Sequence, residues 1–414
     1  MTPSWAEMIR VFGRIGCLSF GGPAAQIALM HRELVEERPW IAEEDYLKAL
    51  SLCMLLPGPE AMQLATYAGW RLRGVPGGLL GGGLFVLPGA LVIFALAFAY
   101  GAWGALPGVQ AAFLGVKAAV IAIVVLALVK VAQRALRRPS DRLIALLAFA
   151  TLALLHLPYP LVVAGAALWG ALRTSQAATE VPPAPGTGTR GVSLAFAALW
   201  LLPLGLIVLA GPPLLGEVAV LFSVLAVVTF GGAYAVLAWL TQVVVTDKGW
   251  LTAAQMIDAL GLAETTPGPL ILVTQFTATL AGLAEGGPAL ALMAGGVALW
   301  ATFLPCFLWI FALAPGLERL TARPRLRGAL EGVTAAVVGV IGALSLWFGS
   351  RVLFDTVERV NLGPLALDLP VWQSWNPLAI GIALAAWGAL GPGRMGLLPV
   401  LALSSLAGLA FAAG

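Results

Sequence analysis

Residues 56–60 read Leu-Pro-Gly-Pro-Glu and lie inside an apolar segment that runs from about Tyr46 to Trp70. Proline lacks a backbone N–H and its ring clashes with the preceding turn, so two prolines around a glycine break a helix inside a membrane segment. Residues 266–270, Thr-Pro-Gly-Pro-Leu, repeat the pattern 210 positions later in a second apolar segment. The sequence therefore predicts two broken membrane helices.

Other landmarks keep the same spacing of 210 positions. The run Ser19-Phe20-Gly21-Gly22 corresponds to Thr229-Phe230-Gly231-Gly232, and Trp40 corresponds to Trp250. Chance does not maintain a gap-free register over such a distance. The chain is therefore predicted to be two copies of one membrane unit, and matching broken helices in two copies are typical of a transporter's substrate site.

Composition sets the protein class. Of 414 residues, 60% are hydrophobic and 10% are charged, whereas soluble domains have about 25% charged residues. We therefore expect an all-α polytopic membrane protein with roughly 11–13 membrane segments. The longest polar run is too short for a separate soluble domain, and a net charge of +3 is too small to indicate nucleic-acid binding.

The basic residues indicate how the two copies are oriented. They follow the fourth segment of the first copy, from Lys130 to Arg142, but precede its equivalent in the second copy, from Arg319 to Arg327. If both runs are cytoplasmic, equivalent helices point in opposite directions and the copies are inverted repeats. We predict a first repeat at 1–172, a linker at 173–193 and a second repeat at 194–414, in which an unmatched span at about 194–210 reverses the second copy.

The breaks are the predicted substrate site. A half-helix that begins inside the membrane presents free amides and the positive end of its dipole, which together bind anions. The candidate substrate-binding residues at the breaks and glycine runs are Ser19, Gly21, Gly22, Pro57, Gly58, Pro59, Gln63, Thr229, Gly231, Gly232, Pro267, Gly268 and Pro269. The alternatives are packing kinks at the prolines and close helix crossings at the glycines.

Ionisable residues within apolar segments are costly and are usually functional. Arg14 and Lys117 are candidates to compensate an anion's charge, although Arg14 could equally be an arginine that extends to the membrane edge. Glu60, Asp258 and Glu264 would repel an anion when ionised, so they are candidates for proton coupling.

Several functions are excluded by what the sequence lacks. The three cysteines have no metal-ligand spacing and lie in apolar segments, so we expect small core residues and neither a metal site nor a cofactor. There is no Gly-rich phosphate loop followed by Lys and Ser or Thr, and no cluster of nucleophile and base, so ATP hydrolysis and enzymatic catalysis are not indicated. The first ten residues do not resemble a removable signal peptide.

Several stretches resemble the chromate ion transporter family. They are Phe20 to His31 (FGGPAAQIALMH), Trp40, Leu56 to Glu60 followed by Gln63 to Tyr67, and Phe85 to Pro88. The resemblance covers both halves, as in the long, two-domain form of the family. The second half matches less closely, since Pro23 becomes Ala233 and Glu60 becomes Leu270.

This resemblance implies a secondary transporter that exports chromate across the bacterial inner membrane and confers chromate resistance. The implied partners are chromate or a related oxyanion, a coupling ion for which the proton is the candidate, and the lipid bilayer. A homodimer is compatible with the sequence. A carrier for sulfate or another small anion, and an anion channel, remain as alternatives.

Overall fold

The computed structural model describes residues 3–54, 56–155, 157–173, 189–230, 233–316, 324–362, 365–391, 393 and 395–412. These residues are almost entirely helical, which confirms the all-α polytopic membrane class. Five helical segments are long and apolar enough to cross a membrane. They are Glu60–Trp103, Pro107–Ala135, Gly191–Ala210, Leu270–Leu313 and Pro324–Leu353.

The described helices of the first copy are three short helices, two long ones and two further short ones. They are α1 (Trp5–Leu18), α2 (Gly22–His31), α3 (Glu43–Cys53), α4 (Glu60–Trp103), α5 (Pro107–Ala135), α6 (Pro139–Ala153) and α7 (Tyr159–Arg173).

The remaining helices begin with α8, which contains the span predicted to be unmatched. They are α8 (Thr189–Ala210), α9 (Pro213–Val228), α10 (Ala233–Thr241), α11 (Ala253–Thr265), α12 (Val273–Leu313), α13 (Pro324–Leu353), α14 (Pro377–Leu390) and α15 (Leu397–Ala412). A short 3-10 turn, Leu270–Leu272, precedes α12.

Irregular turns of the backbone recur at equivalent places. A π-helical turn follows α2 at Arg32–Glu36, and another follows α10 at Gln242–Asp247. Within the long helix α4, Arg73 and Gly74 leave helical geometry with φ of −144° and 63°, and Gly286 and Gly287 do so in α12 with φ of −148° and 75°. Equivalent stretches of sequence therefore adopt the same unusual backbone conformations.

The sequence analysis did not foresee every local feature. An antiparallel hairpin, β1 (Val357–Leu362) and β2 (Leu365–Pro370), separates α13 from α14 and pairs Val357 with Pro370. The predicted core role of the cysteines is wrong for Cys17, which is exposed, whereas Cys53 and Cys306 are buried. The linker predicted at 173–193 lies outside the described residues from 174 to 188, and Gly231 and Gly232 also lie outside them.

The chain forms two compact units, and each contains segments of both copies. Unit 1 consists of Met1–Phe98, Ser175–Val236 and Thr266–Arg327. Unit 2 consists of Ala99–Thr174, Leu237–Thr265 and Gly328–Gly414.

Small residues allow close helix packing within unit 1. An added Cβ at Gly82 of α4 would collide with the Thr66 hydroxyl oxygen and with the Phe307 ring of α12. Its equivalent in α12, Gly295, has the same relation to the Thr279 hydroxyl and the Phe94 ring. Small residues are favoured between membrane helices because they let backbones approach closely.

Unit 2 is packed in the same way around α5. An added Cβ at Gly115 of α5 would collide with the backbone carbonyl of Ser404 in α15, and one at Gly408 of α15 would collide with the carbonyl of Ala111. These glycines set the approach of α5 and α15, and α11 and α14 also pack against α5.

We predict that Gly82→Ala destabilises the protein whereas Gly83→Ala does not. The two glycines are neighbours in α4, but Gly83 has open space around its added Cβ. Overpacking a close contact costs about 1–3 kcal/mol, which should lower the Tm of the purified protein in detergent. Equal Tm values for the two variants would contradict the packing role of Gly82.

Candidate functional site

The first break is a buried turn that separates α3 from α4. Pro57, Gly58 and Pro59 are buried, and Gly58 has a left-handed φ of 114° that side chains rarely adopt. Its N–H donates a 2.8 Å hydrogen bond to the carbonyl oxygen of Thr229, which ends α9 in the second copy. The broken helix of the first copy is thus bonded to the glycine run of the second.

The second break makes the corresponding hydrogen bond from the second copy to the first. Pro267, Gly268 and Pro269 are buried, and Gly268 has a φ of 90°. Its N–H donates a 2.9 Å hydrogen bond to the carbonyl oxygen of Ser19, at the end of α1 in the first copy. All four of these residues lie in unit 1, so the structure brings both predicted breaks together with Ser19 and Thr229.

Each break also packs against a proline-containing part of the other copy's long helix. An added Cβ at Gly58 would lie 2.9 Å from the Sγ of Cys306, and one at Gly268 would lie 3.4 Å from the Cα of Gly89. Cys306 follows Pro305, and Gly89 follows Pro88. Each break therefore packs against the long helix of the other copy, the first at Cys306 of α12 and the second at Gly89 of α4.

The hydroxyls of the glycine runs are engaged with their own helices. The Ser19 hydroxyl donates to the carbonyl oxygen of Ile15 at 2.6 Å, and the Thr229 hydroxyl donates to that of Leu225. Gln26 adds a contact that the second copy lacks, since its Nε2 donates to the carbonyl oxygens of Ser19 and Gly268 at 3.2 Å and 2.7 Å. The position equivalent to Gln26 is Val236.

Two fully buried glutamines lie just behind the breaks. Gln63 Nε2 donates to the carbonyl oxygen of Pro57 at 2.6 Å, and Gln275 Nε2 donates to that of Ala90 at 2.9 Å. Each recorded bond uses one hydrogen of the amide, and the Oε1 atom of each glutamine has no hydrogen-bond partner among the described residues. Buried polar atoms are normally satisfied, so each Oε1 is an acceptor that a donor outside the described residues, such as water, would satisfy.

The helix that follows the first break begins with an acid. Glu60 is the first residue of α4 and is partly buried, and the first turn closes with a 3.1 Å bond from the Gln63 N–H to the Pro59 carbonyl oxygen. The amides of a helix's first turn have no acceptor within the helix. They are available to a ligand, whereas the amides of Gly58 and Gly268 are already used.

The predicted counter-charge Arg14 is half exposed and already has a carboxylate partner. Its Nη1 lies 3.4 Å from Oε1 of Glu33, whose side chain is fully buried, and Arg38 Nη1 lies 2.6 Å from the other oxygen of Glu33. Glu33 was not a candidate in the sequence analysis. Nothing in the spacing of these residues distinguishes Glu33 from its neighbouring acids.

Lys117 and Asp258 meet in unit 2. Lys117 Nζ lies 3.0 Å from Asp258 Oδ1, and the Tyr100 hydroxyl donates a 2.6 Å hydrogen bond to Asp258 Oδ2. The exposed fractions of the two charged side chains are 13% and 1%. Two residues that the sequence analysis assigned to different roles therefore form one ion pair. Glu264, another of the three acids proposed for proton coupling, is also buried in α11.

Comparison with known proteins identifies the relatives of this chain. A family described as "Chromate transporter" matches residues 6–171 and 216–409. A chromate transport protein of Cupriavidus metallidurans is 33% identical over 389 residues, covering 91% of each chain. A probable chromate transport protein of Synechococcus elongatus is 34% identical, covering 92% of this chain and 95% of its own. The chromate transport protein of Pseudomonas aeruginosa is 33% identical, covering 94% and 92%. No solved structure matches the chain.

We predict that Gly58→Ala destabilises the protein more than Gly74→Ala. Both residues have a left-handed φ, which costs a side chain about 1–2 kcal/mol. Only the methyl group at position 58 also meets Cys306 Sγ and Gln63 Nε2, each at 2.9 Å, whereas Gly74 faces open space.

The Gly58→Ala/Cys306→Gly double variant tests this contact directly, because it gives the first break the glycine neighbour that the second break has. We expect it to recover part of the stability lost in Gly58→Ala, measured as Tm in a double-mutant cycle. Additive effects would show that Cys306 is not the obstacle.

Proposed function

Because the chain belongs to the chromate transporter family, we propose that it is a secondary active transporter that exports chromate and confers chromate resistance. Its relatives over the same length are named as transport proteins, and its five long apolar helices belong to a multi-pass membrane protein. The single observation that carries the proposal is the meeting of the two broken helices in one compact unit.

We place the oxyanion at the first turns behind the breaks. The amides of Glu60 and Ala61 begin α4, and those of Leu270 and Ile271 begin the turn that precedes α12. Helix N-termini favour anions through free amides and the helix dipole. Gln63 and Gln275 are fully buried next to these turns, and they support the placement only through Nε2, the donor end of each carboxamide, because the partnerless Oε1 is an acceptor.

We propose that the two copies are inverted repeats, with the boundaries 1–172 and 194–414 and the linker 173–193. The hydrogen bonds from Gly58 to Thr229 and from Gly268 to Ser19 are reciprocal, as expected when a twofold axis relates two copies. Basic residues follow α5 and precede α13, which favours an axis in the membrane plane.

We predict that cysteines at positions 137 and 325 react from the same side of the membrane. The variants Arg137→Cys and Arg325→Cys lie in the two basic segments, and Glu358→Cys in the hairpin should react from the opposite side because α13 intervenes. Each cysteine is placed in a background without Cys17, Cys53 and Cys306 and is labelled with an impermeant maleimide. Labelling of positions 137 and 325 from opposite sides would contradict the inversion.

Transport by the purified protein in liposomes tests the function itself. We expect saturable chromate exchange and accumulation of chromate against its gradient when a proton gradient is imposed. A carrier accumulates its substrate, whereas a channel only dissipates a gradient.

The same assay with sulfate distinguishes the related carriers. Chromate and sulfate are both divalent tetrahedral oxyanions, so sulfate is expected to compete weakly. Exchange of sulfate with no exchange of chromate would contradict the proposed substrate, and large unitary currents without accumulation would contradict a secondary active mechanism.

A further inference from the structure

The ion pair between α5 and α11 is largely buried. Lys117 lies near the middle of α5, a 29-residue helix long and apolar enough to cross a membrane. Its ammonium group and the carboxylate of Asp258 are 3.0 Å apart, with only 13% and 1% of their side chains exposed. Removing two charges from water is expensive, so such pairs inside membranes usually mark a functional site.

Each oxygen of the Asp258 carboxylate has a polar contact from a different element. Lys117 contacts Oδ1, and the Tyr100 hydroxyl donates to Oδ2 at 2.6 Å. The Tyr100 ring is fixed by an edge-to-face contact with Phe113 of α5, with ring centroids 5.6 Å apart. Two charge-assisted contacts from separate elements define a specific position for one carboxylate.

The repeat shows that this pair is not needed to build the helices. The position equivalent to Lys117 is Thr334, whose hydroxyl donates to the carbonyl oxygen of Leu330 in its own helix at 2.8 Å. The position equivalent to Asp258 is Lys48, which pairs with Glu44 one turn away on an exposed surface. The equivalent positions thus carry a threonine and a lysine, not a lysine and an aspartate.

The packing of α5 also has sources other than the ion pair. Gly115 lies two residues before Lys117 and lets α15 approach within contact of the α5 backbone. On the α11 side, an added Cβ at Gly261 would lie 3.3 Å from Val116 Cγ1, so these two helices already touch next to the ion pair. Close apolar contacts flank the two charges on both sides.

We propose that Asp258 is the proton-binding site that couples proton movement to transport, with Lys117 as its counter-ion and Tyr100 as a positioning residue. Binding of one proton would turn the neutral pair into an isolated ammonium group. The buried charge of the centre would thus change by one unit, which favours a different arrangement of α5 and α11. The inference rests on the proposed transport function and assigns its coupling ion.

Among the described residues, two titratable groups are in contact with Asp258. They are Lys117 from α5 and Tyr100 from the end of α4. Helices α14 and α15, which pack on α5, contain no ionisable side chain in their described sequence, and the nearest other acid on α11 is Glu264, six residues further along. A change in the protonation of this centre is therefore assigned to the ion pair.

The experiment compares variants of the full-length protein in liposomes with chromate as the probe. Asp258→Asn and Lys117→Met/Asp258→Asn remove the proton site, and the double variant leaves no unpaired charge. Chromate exchange is measured at equal pH on both sides, and the proton flux that accompanies a chromate gradient is measured with an internal pH dye. Tm in detergent establishes that each variant is folded.

We expect the ratio of chromate-linked proton flux to chromate exchange to fall about tenfold or more in the folded double variant, because the proton site is absent. Asp258→Glu keeps a carboxylate and should retain proton flux. The control Arg351→Met/Asp368→Asn removes another ion pair of unit 2, with a distance of 2.7 Å and an exposed fraction of 22% for each side chain, and should leave both fluxes unchanged.

Three results would overturn the inference. The first is an unchanged proton flux in the folded Asp258→Asn and double variants. The second is a loss of chromate exchange in proportion to the loss of proton flux in these folded variants. The third is a loss of proton flux that occurs only in Glu60→Gln or Glu264→Gln. The same measurements on the unmodified protein separate failure of the proposed transport function from failure of the proton-site assignment. If it does not exchange chromate, both proposals fail, whereas chromate accumulation without proton flux overturns only the assignment of the coupling ion.

Discussion

An amide exposed by a break in a membrane helix has to find an acceptor, because lipid offers none. In this protein the Gly58 and Gly268 amides find the carbonyl oxygens of Thr229 and Ser19 in the opposite copy. Both donors and both acceptors sit where regular helix stops. Each copy thus supplies the hydrogen-bond acceptor for the amide at the other copy's break, and the proposed site depends on these two hydrogen bonds.

These two hydrogen bonds between the copies require the backbone at each break to approach the other copy closely. Gly58 and Gly268 supply left-handed φ angles, and Gly89 leaves the space in which the second break sits. Cys306 lies against the first break. An added Cβ at Gly58 would collide with Cys306 and Gln63, and one at Gly268 would lie 3.1 Å from Leu272, so packing as well as dihedral strain limits substitution.

Buried charged side chains, like buried amides, need a partner inside the protein. Glu33 is fully buried between Arg14 and Arg38, and Asp258 is buried against Lys117. Burying a charge is tolerable when an opposite charge lies beside it. Within the described residues, the two cations proposed as anion ligands therefore already have carboxylate partners, which favours the helix N-termini behind the breaks as the place where an anion binds.

The sequence by itself determined the membrane class, the two copies, the broken helices and the family resemblance, because composition, proline and glycine act locally and a repeat is visible in one dimension. Only the tertiary structure decided that Lys117 meets Asp258 across 141 positions, that Arg14 meets Glu33, and that each break bonds to the other copy's glycine run. The hairpin at 357–370 and the exposure of Cys17 were also decided there. Pairing between distant segments depends on how helices cross and which faces they present, and helical periodicity specifies a face but not the partner that covers it.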